Sequence, residues 1–147
     1  MFLLTVALLA LSPVQALYYS YSEEIQPVTE HVIYEGIHQE EKSFKFYSAT
    51  IGQRYFTGTE HLIFKVMAEG FDSDPDIFIS KQNRYPMGSS SAEWHCEREG
   101  SETCVVHNGE FSLGDTFYFG VKCIRECDYR LRLWLTNVQD LSESERT

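Results

Sequence analysis

The sequence predicts an all-β protein, an antiparallel two-layer β-sandwich of jelly-roll-like design with about eight strands, clasped by disulfides. Three observations carry this. Apolar and polar residues alternate in run after run, the spacing that gives a strand one buried face. The gaps between the runs are rich in Gly, Pro, Asn, Asp and Ser, the residues of turns. No stretch after residue 16 keeps a helical period, and four cysteines stand at 96, 104, 123 and 127.

The elements follow in order. Residues 1–16 read as a signal peptide: the segment from 2 to 11 is almost wholly apolar, Pro13 ends it, and Val14 and Ala16 are small residues where a signal peptidase reads. The run is too short for the roughly 20 residues that span a bilayer. Residues 17–30 are polar enough to read as a loose N-terminal extension. The sandwich itself is expected over 31–136, and residues 137–147 read as a polar tail that can lead into further domains.

Within the domain, "HVIYEG" opens the strands and "KSFKFYSAT" sets Phe44 and Phe46 against Lys45 and Tyr47. "HLIFKVM" sets Leu62, Phe64 and Val66 against Ile63, Lys65 and Met67. "DIFIS", "AEWHC" and "TCVVH" are shorter candidates, Trp94 being a core residue beside Cys96. "DTFYFGVKC" places Phe117, Phe119 and Val121 inward, and "DYRLRLWLT" does the same for Tyr129, Leu131, Leu133 and Leu135.

Behind a signal peptide an even cysteine count reads as a disulfide framework. Spacing favours two local bridges, Cys96–Cys104 clasping a hairpin around Gly100 and Cys123–Cys127 closing a tight turn. Neither spacing is that of a zinc knuckle, and no paired histidines follow. The formal net charge of −10 argues against nucleic acid and anionic membrane surfaces as partners.

"FDSDPDIFIS" is the candidate metal stretch, with Asp72, Asp74 and Asp76 at alternate positions. Ile77 stands where an EF-hand needs glycine, which leaves two readings: a shallow calcium site of loop carboxylates, or Asx-type bonds from Asp74 and Asp76 that shape a turn and launch Ile77 and Ile79 inward. No other cofactor is implied. The five histidines share no ligand spacing, and "GSSSA" lacks the second glycine of a nucleophile elbow. No catalytic residues are expected.

A candidate binding face lies near the C-terminus. Lys122, Arg125, Arg130 and Arg132 gather there in an acidic chain, and Tyr118 and Trp134 are expected to share the outward face of Arg130 and Arg132. Arg beside Trp or Tyr is the composition of an interface hot spot and equally of simple surface stacking. No N-x-[ST] sequon occurs, so no N-linked glycan is expected over either sheet.

The order of these elements resembles the bacterial pre-peptidase C-terminal (PPC) domain and its cysteine-containing relatives in protist extracellular proteins. Phe44 and Phe46, "FKVMAEG", "DPDIFIS", Pro86, Trp94, "GDTFYFGV" and "YRLRLWL" follow the family pattern over roughly residues 30 to 136. The resemblance implies a jelly-roll sandwich without catalytic machinery. The function expected is a secreted, non-catalytic interaction module of an extracellular assembly or surface protein, with an extracellular protein or glycan as partner. The alternatives are an accessory domain, for folding or targeting, of a secreted peptidase or other hydrolase, and a calcium-dependent carbohydrate-binding module.

Overall fold

The structure, a computed structural model, describes residues 19–137. The leader at 1–16 and the tail beyond residue 137 lie outside the described residues. Nine strands form two sheets: β1 (Ser20–Pro27), β2 (Ile33–Gln39), β3 (Ser43–Thr50), β4 (His61–Glu69), β5 (Pro75–Ser80), β6 (Trp94–Cys96), β7 (Glu102–Val106), β8 (Thr116–Cys123) and β9 (Cys127–Thr136). All eight strands expected from the alternation are present. The ninth, β1, corrects the reading of residues 17–30 as a loose extension: it pairs with β3 in parallel, Ser20 opposite Ser43 and Ile25 opposite Phe46. Its polar sequence follows from its position at the sheet edge, where most of its side chains face water.

The first sheet runs β1-β3-β8-β5-β6 and the second β2-β9-β4-β7, and every pairing except β1 with β3 is antiparallel. Among the described strands only β5 and β6 are consecutive in one sheet; every other connection crosses between layers. The core fills the gap with the residues that the alternation turns inward, Leu62, Phe64 and Val66 from β4, Phe117, Phe119 and Val121 from β8, and Tyr129, Leu131, Leu133 and Leu135 from β9. The Phe64 ring meets Phe117 and Phe119 edge-on at 5.6 and 5.2 Å, and Tyr47 stacks on Phe119 at 5.2 Å. Each such buried side chain stabilises the fold by about 1.5–3 kcal/mol.

A polar chain runs through this apolar layer. The Tyr129 hydroxyl donates to Gln39 Oε1 at 2.8 Å and lies 2.7 Å from the Tyr47 hydroxyl, which is therefore the donor to Tyr129. Gln39 Nε2 donates to the carbonyls of Ser43 and Val121. Every member is satisfied, as burial demands. Burial pushes the Tyr47 phenol up to about 12 and that of Tyr129 well above its ordinary value, so both stay protonated.

Both expected disulfides are present, with Cα atoms 5.8 Å apart for Cys96–Cys104 and 5.9 Å for Cys123–Cys127. Cys123 and Cys127 close the tight turn between the end of β8 and the start of β9, as expected, whereas Cys96–Cys104 does not clasp a hairpin: Cys96 lies on β6 and Cys104 on β7, at the edges of opposite sheets. Both bridges are sheet-to-sheet staples, because the chain changes layer within each loop.

The outer face of the first sheet is covered by the chain's own residues. Phe44, Phe46, Phe78 and Met87 form a second buried cluster there, flanked by Tyr19, Tyr21, Ile25 and Tyr85. The loop 81–93 is the roof, and the Tyr85 hydroxyl ties it to β1 by donating to the Glu23 carbonyl at 2.9 Å. At Gly120, beneath the roof, an added Cβ would collide with the Pro86 carbonyl oxygen and stand 3.0 Å from the Phe46 ring. Gly120→Ala is therefore expected to lift the loop and cost about 1–3 kcal/mol, read as a lower urea midpoint; an unchanged midpoint would show that the roof is not packed on the sheet.

Candidate functional site

The candidate metal stretch lies where the β4–β5 loop enters β5. Asp72 and Asp74 are exposed, whereas Asp76 is buried on the roofed side of the first sheet, directly opposite Lys122. Asp74 Oδ1 accepts the amide of Gly100 at 2.8 Å, so it pins the β6–β7 loop instead of making the local turn bond expected. Ile77 and Ile79 do enter the core. The three aspartates do not converge as ligands. Among the described residues the group of three whose ligand atoms converge is His38, Glu40 and Glu126, all exposed. His38 and Glu40 come from the end of β2 and the turn after it, and Glu126 from the β8–β9 connection far along the chain, so spacing shows only two of the three.

A carboxyl that the sequence did not single out sits beside this stretch. Glu102 begins β7 facing inward; it is 0 % exposed, and neither carboxyl oxygen has a hydrogen-bond partner. Burial, then the charges of Asp76 and Asp74, push its pKa up to about 8, with nearby Arg98 opposing. Asp76 is raised to about 6, by burial first and then by Asp74 and Glu97, with Lys122 opposing. In the unfolded chain both acids ionise in the ordinary range, so the fold holds protons that the unfolded chain has lost. Their contribution to stability is complete in acid and is lost as pH rises through about 6 for Asp76 and about 8 for Glu102. The melting temperature should therefore fall from pH 5 to pH 9, and Glu102→Gln should flatten the decline; an equally steep decline in the variant would assign it to other groups.

The outer face of the second sheet carries no roof of described chain. Strand register sets its rows: Ile33, Arg132, Lys65 and Thr103 lie side by side, and Trp134, Ile63 and Val105 form the next row. The Arg132 guanidinium carbon lies 4.6 Å from the Trp134 ring centroid. Ile63 points outward yet is 0 % exposed, with Trp134 and Val105 as its cross-strand partners. Arg130 Nε pairs with Glu69 Oε1 at 3.0 Å.

Three of the four candidate face residues, Arg130, Arg132 and Trp134, thus share one surface. Tyr118 does not: β8 belongs to the first sheet, and Tyr118 lies on its roofed side with the Arg84 guanidinium carbon 5.8 Å from its ring centroid. Lys122 is also on that side, 5.1 Å from the Tyr19 ring centroid. The four cations do not form one patch, because β8 and β9, consecutive in the chain, run in different layers.

A cavity of about 450 Å³ lies where the β1–β2 connection meets the loop after β3, lined by Glu30, His31, Ser48, Arg54 and Tyr55 among others. His31 takes a left-handed φ of 65° and its ring stacks on Tyr55 at 3.7 Å. Its Nε2 accepts the Leu135 amide at 3.2 Å, which places the ring proton on Nδ1. Burial, then Arg132 and Arg54, depress the His31 pKa, so the ring is neutral near pH 7. Glu30 Oε1 accepts the Gly52 amide at 2.7 Å.

Among the described residues no helix is long and apolar enough to cross a membrane. No protein-family model matches the chain, and no curated protein matches its sequence. A solved structure is similar: the pre-peptidase C-terminal domain of the collagenase from Bacillus anthracis, with a TM-score of 0.52 at 9% identity, over 76% of this chain and 96% of that one. The paired aromatics, the acidic strand and the closing strands thus belong to a disulfide-stapled β-sandwich with the fold of the pre-peptidase C-terminal domain.

Proposed function

We propose that this protein is a secreted, non-catalytic interaction module that holds a protein partner on the outer face of its second sheet. The asymmetry between the two faces carries the reading. The first sheet buries its outer aromatics under its own loop, whereas the second leaves Arg132, Trp134 and the exposed Ile33 uncovered among the described residues. Two internal disulfides are compatible with an oxidising, extracellular setting. A second reading, that the chain serves as an accessory domain of a secreted hydrolase, is favoured by one observation: the similar solved domain belongs to a collagenase.

Secreted proteins of the source organism, passed over the immobilised chain, are expected to leave a partner on it. Arg132→Ala with Trp134→Ala should abolish that capture while the circular dichroism spectrum and cooperative melt persist. Arg84→Ala, on the opposite side, should leave it intact. Undiminished capture by the double variant would remove the second sheet from the function.

A further inference from the structure

We propose that the chain associates head to tail, the Phe71 tip of one copy seated in the His31 cavity of the next. This contact does not use the outer face of the second sheet and leaves that face free for a partner. Strand register puts tip and cavity at opposite ends of the sandwich. β4 ends with Glu69 opposite Asp128, and β5 begins with Pro75 opposite Cys123, so the β4–β5 loop projects from the end where β8 gives way to β9. The cavity lies at the other end, where β3 finishes with Thr50 opposite Thr116 and the His31 amide donates to the Leu133 carbonyl.

The tip holds an apolar ring out on a tied loop. Phe71 is fully exposed, its ring in water with none of the stabilisation that burial supplies. The loop beneath it is pinned. Ser73 Oγ donates to the Glu69 carbonyl at 2.6 Å and accepts the Asp128 amide at 2.9 Å, and Asp74 Oδ1 accepts the Gly100 amide. Gly70 makes the reversal before Phe71 with a φ of 82°. Because the loop is already fixed, docking the ring costs little further ordering.

The cavity suits the tip in size and in sign. Its volume of about 450 Å³ exceeds the roughly 150 Å³ that encloses a benzene ring, which leaves room for the backbone beside Phe71. Pro27, Val32 and Tyr55 give it apolar walls. Arg54 adds an exposed cation to the lining, its guanidinium carbon 5.3 Å from the Tyr55 ring centroid. Glu30, the acid among the described lining residues, is buried and bonded to the Gly52 amide. Asp72 and Asp74, both exposed beside Phe71, carry carboxylates toward Arg54 as the ring enters. Two tips set against each other would oppose acid to acid, which disfavours a tip-to-tip pair. A tip in a cavity is a heterologous contact, so each copy can make it twice and the assembly extends as a row or closes as a ring. The net charge of −10 works against it, and association should therefore grow with concentration.

Sedimentation equilibrium of the full chain over a range of concentrations tests this. The weight-average mass is expected to climb with concentration. Phe71→Ser, and separately Val32→Asp combined with Arg54→Glu, should each stay at the mass of one chain while keeping the parent melt. Mixed in equal amounts, the two variants should regain association and stop at a pair, since one supplies an intact cavity and the other an intact tip. A parent chain that stays single at every concentration would overturn the proposal and give the cavity to another occupant. Association of Phe71→Ser equal to that of the parent, or a mixture that stays single, would overturn it too. Association lost with Phe71→Ser but kept by the cavity variant would set tip against tip, against the proposal.

Discussion

The contact of Phe64 with Phe117 and Phe119, continued by the Tyr47–Tyr129–Gln39 chain, lies at the centre of the core that joins the two sheets. Because the chain changes layer at nearly every connection, few consecutive strands share a sheet, and the interlayer contact helps orient both. The tyrosine and glutamine chain adds specificity to that contact. Its members need one relative placement of β2, β3 and β9 to satisfy every buried donor, and any slip would strand a phenol in an apolar layer. The disulfides fasten the same two layers at a shared edge and where β8 gives way to β9.

From that frame the two outer surfaces diverge. The first sheet is the middle layer of three, since the loop 81–93 with Tyr19 and Tyr21 closes over Phe44, Phe46 and Phe78. The second sheet carries no roof of described chain, and its outward Ile63 stands between Trp134 and Val105 in register. A surface of that kind is rigid in backbone and chemically mixed, which suits recognition by side chains. The acidic corner around Asp76 and Glu102 is its counterpart inside the molecule, where protons rather than partners balance the charge.

Alternation showed all eight strands of the expected domain, and the inward residues of β4, β8 and β9 are those it selected, because period two is imposed by the backbone and survives any topology. The cysteine pairs were legible from spacing alone. What spacing could not convey was layer: the same loop lengths serve a hairpin and a crossover, so the Cys96–Cys104 bridge was read within a hairpin and Tyr118 on the wrong sheet. β1 escaped notice because an edge strand needs only one paired side and keeps a polar sequence. Glu102 was hidden by its neighbours, since "SETC" reads as a polar turn until register places its carboxyl inside. The cavity at His31 is built by two connections, where no periodicity exists to read.

The strands that end the chain occupy the centres of the sheets: β8 lies between β3 and β5, and β9 between β2 and β4. As the polypeptide emerges in order, everything before Thr116 can assemble only as the pairs β1–β3, β5–β6 and β4–β7, with β2 alone. The Cys96–Cys104 thiols can already meet at that stage, but neither layer is continuous until the last two strands insert. Folding must therefore wait for nearly the whole domain to be synthesised, leaving half-sheets with open edges in the interval. Such a topology leaves the nascent chain prone to association until both layers close and couples completion of the second bridge to that closure.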